Sequence, residues 1–315
     1  MSFLKNFIKK VMGKVINLKA YNLKINDLKI LTSQALVRDN KNSNFSNIQD
    51  AEFKVFSQWG EDGIIQYLVN KLPIKNKVFI EFGVEDYSEA NTRFLLENDN
   101  WSGLVMDGSL KNIEQIKNNP IHWKYDLFAK DVFITKDNIN STIENYIKTY
   151  SFDKEIGLLS IDIDGNDYYV WEAIDSINPV IVICEYNSIF GNKHSITVPY
   201  DDEFVRTQKH YSNLYFGASI QAFYKLAKSK GYEFIGTNKN SVNAFFVKKE
   251  YANKYIPELI TTPEDNVVES KFRESRDETG NLTFLRTDER IKLIKSMPVI
   301  NLDNNQLVTL HKLFK

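Results

Sequence analysis

The sequence predicts an α/β fold in which helices cover both faces of a doubly wound, mostly parallel sheet. From residue 77 onwards, short apolar runs alternate with helical patterns, and the runs are apolar on both faces, as in a buried parallel sheet. Two late strands lie so close in sequence that they must pair as an antiparallel hairpin. A single α/β domain with extensions at both ends accommodates the length of 315 residues.

The composition is that of a globular protein, and its formal net charge of -1 gives no overall field that would attract nucleic acid. The single cysteine, Cys184, rules out an intramolecular disulfide framework and fits a reducing compartment. No apolar stretch approaches the ~20 residues of a membrane span, and no signal-peptide pattern is present. We therefore expect a cytoplasmic protein without a nucleic-acid partner.

The first part of the chain predicts a basic amphipathic helix. Its apolar residues recur at helical spacing with lysines between them: Phe3, Leu4, Phe7, Ile8, Val11, Met12, Val15 and Ile16, with Lys5, Lys9, Lys10 and Lys14. Such a helix lies on an anionic membrane surface, contacts a second subunit or docks on its own domain, and the sequence leaves all three open. An Asn/Ser-rich stretch at 39–47 predicts a linker, so residues 1–48 form a helical extension with its linker.

The elements of the central domain, residues 49–250, follow in order. Strands are predicted at 78–80, 103–106, 121–125, 156–161 and 180–183. Helices are predicted at 90–97 and at 139–150, with one more that starts at about 110 and another that ends at about 171. A helix at 218–228, a strand at 232–235, a turn at 238–240 and a strand at 244–247 close the domain. The polar tail, residues 251–315, is predicted to be an extension for substrate binding or oligomerisation.

An acidic residue follows nearly every predicted strand. These residues are Glu81 and Glu85, then Asp107, Asp126, Asp162 with Asp164, and Glu185. Ligands of open α/β sheets bind beyond the carboxyl ends of the strands, where converging carboxylates need a compensating cation. A helix N-cap explains any single acid equally well. The set predicts a site for a positively charged ligand, with Asp162, Asp164 and Glu185 as ligands of Mg²⁺ or Mn²⁺.

Two other kinds of site were considered at these loops. A dinucleotide site requires G-x-G-x-x-G, but only Gly83 is present, and Glu85 and Asp86 would repel a pyrophosphate. Residues 162–165 look like the D-x-D-G opening of haloacid-dehalogenase-like phosphatases, with Asp162 as nucleophile beside magnesium. That signature usually sits on the first strand of its domain, whereas two or three βα units precede it here. A phosphatase and a membrane-associated scaffold stay as alternatives.

Five segments together resemble FkbM-like methyltransferases, over about residues 56–247. They are SQWGEDG (57–63), VFIEFG (78–83), GLVMDG (103–108), SIDIDGND (160–167) and VICEYN (182–187). The loop at 81–85 is less glycine-rich than the commoner pattern, and 164–167 read DGND where relatives often carry EGAE. The resemblance implies a class I methyltransferase fold, with the closing hairpin as its antiparallel pair, and S-adenosylmethionine as cofactor.

The resemblance also implies roles for residues at the strand ends. Glu81 and Gly83 would flank the methionine part of the cofactor, Asp107 with Gly108 and Ser109 the ribose, and Asp126 the adenine side, with Asp162 nearby and Ser57 and Gln58 as a cover. Families of this kind often O-methylate precursors of polysaccharides. We therefore expect a sugar hydroxyl as acceptor, on a nucleotide-activated sugar for a surface polysaccharide such as a capsule.

A sugar hydroxyl has a very high pKa, so its methylation needs a general base or a metal. His194 is the predicted base, together with Asp164, and the metal ligands named above are the alternative. A long insert before residue 216 is expected to select the substrate. Tyr186, Asn187 and Tyr200 would contact the sugar, and Arg273 and Arg276 would clamp a diphosphate.

Overall fold

The computed structural model describes residues 2–266, 270–286 and 288–314. The strands in this part are β1 (Val78–Phe82), β2 (Ser102–Asp107), β3 (Leu127–Asp131), β4 (Leu158–Ile161), β5 (Ile181–Glu185), β6 (Ile196–Thr197), β7 (Tyr232–Thr237), β8 (Asn243–Lys248), β9 (Pro298–Asn301) and β10 (Gln306–Thr309). The helices are α1 (Ser2–Asn42), α2 (Glu61–Lys71), α3 (Arg93–Asp99), α4 (Leu110–Lys117), α5 (Pro120–Lys124), α6 (Ile139–Tyr150), α7 (Asp167–Ala173), α8 (Arg206–Lys209), α9 (Ile220–Ser229), α10 (Lys249–Tyr255), α11 (Asp288–Ile294) and α12 (Leu310–Leu313).

Seven strands form the main sheet, in the order β3-β2-β1-β4-β5-β8-β7. Strands β1 to β5 run parallel, β8 is antiparallel to β5, and β7 is antiparallel to β8. The chain builds outward from β1 to β3 and then returns across the sheet to β4, so the strand order reverses between β1 and β4. This order, with its closing antiparallel hairpin, is that of a class I methyltransferase sheet, which confirms the predicted fold.

The main sheet is buried on both faces. In β1, Val78, Ile80 and Phe82 belong to one apolar cluster and Phe79 to the cluster on the opposite face. Successive side chains of a strand point to opposite faces, so burial of both faces requires the unbroken apolar runs seen in the sequence. Glu81 interrupts this apolar run with a carboxylate that is only 4% exposed. A buried carboxylate within a strand requires a structural or functional reason.

The third predicted strand is wrong. Residues 121–125 belong to α5 and its C-cap, because Asn119 caps the helix through its side chain and Pro120 occupies the first turn. The true β3 begins at Leu127, so Asp126 precedes the strand instead of following it. Asp126 therefore lies at the amino ends of the strands, where its carboxylate accepts a hydrogen bond from Ser102 Oγ at 2.5 Å.

The extension before the sheet is one long helix. Helix α1 continues to Asn42, so the linker is shorter than the predicted 39–47. Its second half docks on the domain: Ile30 and Val37 contact an apolar cluster around Phe56, and Asn40 Nδ2 donates to the Ala51 carbonyl oxygen at 2.7 Å. None of the described helices combines the length and apolarity that a membrane crossing requires. The predicted apolar side chains Phe3, Leu4, Ile8, Val15 and Ile16 lie outside the described ones.

The tail, which the sequence left weakly patterned, contributes to a second, smaller sheet. Strand β9 pairs antiparallel with β10 and with β6, and β6 lies in the insert between β5 and α9. An apolar cluster including Phe190, Ile196, Val299 and Leu310 joins the insert to the tail. The division of the chain at residues 48 and 250 stays a prediction, but the insert and tail fold as partners.

Candidate active site

A cleft of about 560 Å³ opens at the carboxyl ends of the central strands. Segments from across the chain line it: Gln58, Glu81, Gly83–Glu85, Ser88–Asn91, Met106–Gly108, Val132–Ile134, Asp162–Asp164, Asn166, Glu185, Phe204, Arg206, Val242, Asn243, Phe272 and Glu274. The cleft lies where the strand order reverses, at the position where open α/β sheets bind ligands.

The lining is strongly acidic. Among the described residues that line the cleft, eight are carboxylates and Arg206 is the one cation. The carboxylates are Glu81, Glu85, Glu89, Asp107, Asp162, Asp164, Glu185 and Glu274. Carboxylates this concentrated favour a positively charged ligand, a metal ion or bound protons. The structure thus brings the predicted acids together, except Asp126, which lies at the amino ends of the strands.

Glu81 anchors the loop after β1. One carboxylate oxygen accepts the amide hydrogen of Asn91 at 2.8 Å, and the other accepts from the amide and hydroxyl of Thr92 at 3.1 and 2.5 Å. Burial raises the pKa of Glu81 to about 7, although these donors oppose the shift. Glu81 therefore shapes one wall of the cleft by holding the segment that leads into α3.

Gly83 allows two loops to meet at the floor of the cleft. Its φ is +70°, and a β-carbon there would lie 1.6 Å from the carbonyl oxygen of Asp162. Only glycine tolerates both the left-handed backbone and this approach. The loops after β1 and β4 are consequently in direct backbone contact, which places the predicted cofactor and acid positions side by side.

Asp107 organises the loop after β2. Its Oδ2 accepts the amide hydrogen of Glu85, and its Oδ1 accepts from the amide of Ser109 and the side chain of Asn112. Ser109 caps α4 and lies outside the lining, whereas Gly108 is part of it. Asp107 is 9% exposed at the cleft surface, so its carboxylate is both held in place and accessible from the cleft.

The segment before α2 covers one end of the cleft through Gln58. Ser57, by contrast, is fully buried, and its amide and hydroxyl both donate to Asp62 Oδ2 at 2.7 Å. The same oxygen accepts the amides of Val55 and Phe56, and burial raises the pKa of Asp62 to about 6. Ser57 thus positions the cover, and Gln58 is the residue that reaches the cleft.

Asp162, Asp164 and Glu185 form an acidic triad at the ends of β4 and β5. One oxygen from each lies within 4.8 Å of the others, so the arrangement can hold a cation. Burial and the neighbouring carboxylates raise the pKa of both Asp162 and Glu185 well above the ordinary range. Glu185 is 9% exposed, and its Oε2 has no hydrogen-bond partner among the described residues.

Arg206 provides the charge that faces this triad. Its guanidinium donates to Asp164 Oδ1 at 2.5 Å and to the Asn213 carbonyl oxygen at 2.8 Å, and it stacks 3.8 Å from the centre of the Phe216 ring. Asp164 has a φ of +57° and is the most exposed member of the triad. Arg206 therefore compensates the outer carboxylate, while Asp162 and Glu185 lie deeper.

The tail forms one wall of the cleft through an extended strap, residues 270–274. Phe272 and Glu274 line the cleft, and the Phe272 ring meets Trp59 edge-on at 6.4 Å. Arg273 does not line the cleft. It lines a neighbouring depression of about 390 Å³ together with Lys271, Arg286 and Arg290. Arg276 is engaged elsewhere, because it pairs with Glu274 at 2.9 Å.

Several predicted residues lie outside the cleft. His194 contacts the Phe314 ring at 5.4 Å, because β6 carries this part of the insert into the small sheet. Tyr186 is buried in the core, and Asn187 is 1% exposed and binds the carbonyl oxygens of Leu214 and Phe216. Tyr200 lies outside the lining, with its hydroxyl donating to Asp202. The structure therefore does not support His194 as base or these three residues as substrate contacts.

Sequence reasoning also missed residues that line the cleft. Val132, Phe133 and Ile134 follow the true β3, and the Asn119-Pro120 helix start was the signal that would have placed that strand. No local signal marks Arg206 or Phe272, since both reach the cleft only through tertiary packing of the insert and the tail.

No protein-family model and no curated protein matches this sequence. Solved structures with overall similarity include the N-terminal domain of EvdMO1 with SAH bound, at 7% identity and a TM-score of 0.38, over 61% of this chain and 80% of that one. An S-adenosylmethionine-dependent methyltransferase from Clostridium acetobutylicum matches at 10% identity and 0.36, over 60% and 90%. An O-methyltransferase from Bacillus cereus in complex with SAH matches at 12% and 0.37, over 69% and 91%. These likenesses are too distant to assign any residue of the cleft.

Proposed function

We propose that this chain is an S-adenosylmethionine-dependent O-methyltransferase of the FkbM-like type. The observation that carries the proposal is the acidic cleft at the switch point of a class I methyltransferase sheet, with Gly83 at its floor. The five sequence segments named above supply much of its lining, which supports the same family.

The residues present fit the cofactor. Its sulfonium and ammonium groups are cations, and the cleft offers carboxylates at Glu85, Asp107 and Asp162 close to the Gly83 turn. Asp107 would accept the ribose hydroxyls beside Gly108, while Val132 and Ile134 offer an apolar surface for the base. The Asp162 carbonyl oxygen against Gly83 leaves no room for a side chain there, so the loops after β1 and β4 stay in contact beside the proposed cofactor position.

When bound, the cofactor supplies a methyl group already activated by its sulfonium. The chain must then align an acceptor hydroxyl and take up its proton as the oxygen–carbon bond forms and the carbon–sulfur bond breaks. Glu185 replaces His194 as the proposed base, because its Oε2 is buried, unpartnered among the described residues and faces Asp162. A raised pKa makes the ionised form of Glu185 a stronger proton acceptor than an ordinary carboxylate, and the positive charge of a bound sulfonium would favour that ionised form.

A divalent metal is a second way to stabilise the acceptor oxygen at the same place. Asp162, Asp164 and Glu185 would hold Mg²⁺ or Mn²⁺ through hard oxygen ligands, and the unpartnered Glu185 oxygen supports this. Arg206 competes for Asp164, so metal binding would require that ion pair to open or to share the carboxylate.

The proposed acceptor is a sugar hydroxyl, on a nucleotide-activated sugar used for surface polysaccharide. A neutral sugar suits the acidic cleft, which would repel a phosphate placed inside it. The cationic depression behind the strap, with Lys271, Arg273 and Arg286, offers charge for a diphosphate next to the cleft. Arg276 is not part of that set.

The test is calorimetric titration of S-adenosylhomocysteine into purified, chelator-treated protein, repeated with Mg²⁺ or Mn²⁺. We expect micromolar binding, and tighter binding with metal if the triad is a metal site. Asp107→Asn is expected to weaken binding, and Asp126→Asn, at the opposite edge of the sheet, is the matched control. Absence of binding in every condition would overturn the proposal and favour a phosphatase or a scaffold.

A further inference from the structure

Among the described side chains of α1, those in the first half lie apart from the domain. Contacts with the domain begin near Lys29, whose Nζ donates to the Val55 carbonyl oxygen at 3.4 Å. Before this point, every described side chain is exposed except Ile25 and Asn26, which are partly buried. A helix of 41 residues is about 60 Å long, so roughly half of it extends past its docking surface.

This free half exposes large apolar side chains. Phe7, Val11, Met12 and Leu23 are 59, 45, 57 and 52% exposed. Phe7 and Val11 are four residues apart and therefore share one face of the helix. Apolar side chains exposed together along one helix usually mark a surface that another body covers.

The charge of the same segment identifies that body. Residues 1–26 contain six lysines and no acidic residue, although the whole chain carries 40 basic and 41 acidic residues. Lys5, Lys9 and Lys10 are exposed beside Phe7 and Val11. Lysines flanking an apolar face suit anionic lipid headgroups, whereas two copies of the helix packed together would oppose like charges.

We propose that the first half of α1 is a docking surface for an anionic membrane, on which it lies in the plane of the headgroups. Phe7, Val11 and Met12 enter the acyl boundary, and the lysines contact the headgroups. The second half of α1, which is docked through Ile30 and Val37, would connect this surface to the domain. The proposal is independent of the methyltransferase assignment.

The test is co-sedimentation of the full chain with vesicles of phosphatidylcholine, with and without phosphatidylglycerol. Binding is expected only to the anionic vesicles and should fall steeply as salt rises, because screening shortens the range of the attraction. Lys9→Gln with Lys10→Gln should weaken the vesicle partition by about 20–30-fold, at roughly 1 kcal/mol per lysine. Lys111→Gln with Lys117→Gln, on exposed α4, is the control and should bind like the parent.

Phe7→Ser with Met12→Ser should also abolish vesicle binding while the affinity for S-adenosylhomocysteine is unchanged, which excludes misfolding. Equal binding to neutral and anionic vesicles, or no binding to either, would overturn the proposal. So would a stable dimer in sedimentation that the Phe7 and Met12 substitutions dissociate, since the occupant would then be a second copy.

Discussion

Glu81 and Glu185 are chemically identical groups at the same edge of one sheet, two strands apart, yet their surroundings are opposite. Glu81 accepts three hydrogen bonds from Asn91 and Thr92, which use both of its oxygens. Glu185 faces Asp162, and its Oε2 accepts none from the described residues. Both are buried and both have a raised pKa, so neither property tells them apart.

From this difference we expect that hydrogen-bond satisfaction separates a structural carboxylate from a reactive one. A carboxylate whose oxygens accept hydrogen bonds from the backbone holds its loop in place. Its removal leaves those backbone donors without an acceptor. A buried carboxylate that lacks donors is costly to the fold, and a bound cation or an acceptor proton would relieve that cost. Substitution of Glu81 should therefore mainly affect stability, whereas substitution of Glu185 should mainly affect activity.

The largest expected effect is on transfer itself. Glu185→Gln should lower the rate of methyl transfer by about 10²–10⁴-fold, because the amide cannot take up the proton of the hydroxyl that is methylated. Formation of S-adenosylhomocysteine with a panel of nucleotide sugars measures this rate. His194→Ala, outside the cleft, is the control and should stay within about twofold of the parent. A Glu185→Gln variant with full activity would remove this residue from the mechanism.

The next effect concerns stability at the other glutamate. Glu81→Ala should lower the free energy of unfolding by about 3 kcal/mol, because it leaves the buried amides of Asn91 and Thr92 without an acceptor. Urea unfolding followed by circular dichroism measures the change. Glu185→Gln should cost much less in the same assay. Equal losses of unfolding free energy in the two variants would contradict the proposed difference between Glu81 and Glu185.

The third effect is a pH dependence of stability. A carboxyl whose folded pKa is raised binds its proton more tightly in the folded state, so it stabilises the fold below its ordinary pKa. That stability is lost as the pH rises from the ordinary value towards the raised one. For Glu185 the folded pKa is raised by burial and by Asp162, and for Asp162 it is raised by burial and by Asp164.

We therefore expect the unfolding free energy of the parent to fall as the pH rises above about 4. Glu185→Gln should make this fall shallower, by at most about 1.4 kcal/mol per pH unit for one proton. Urea unfolding at pH 4.5 to 8 measures both profiles. A steeper fall in the variant would contradict the raised pKa of Glu185.

The sequence predicted what local patterns encode. Unbroken apolar runs placed four of the first five strands of the main sheet, and the acids at the carboxyl ends of β1, β2, β4 and β5 lie in the cleft. The prediction of a third strand at 121–125 failed because Asn119 and Pro120 begin a helix there. Because this strand was predicted too early in the sequence, Asp126 was expected at the carboxyl ends of the strands, whereas it lies at their amino ends.

Long-range packing explains where the other predicted residues lie. His194 and Tyr186 follow β5 at plausible spacing, but the insert turns His194 towards the tail, and Tyr186 enters the core. Arg206 and Phe272 reach the cleft from 20 to 90 positions after β5, where no periodicity connects them to a strand end. Such residues become visible only when the fold brings distant segments together.

The pairing of β6 with β9 has a consequence for biosynthesis. The main sheet has all of its strands once Lys248 has been made, whereas β6 waits for β9, which begins at Pro298. At about 5–20 residues per second, synthesis of the ~50 residues between them takes a few seconds. During that interval Phe190 and Ile196 lack their partners from the tail. The nascent chain therefore passes through a stage in which its main sheet can form while the small sheet is still incomplete.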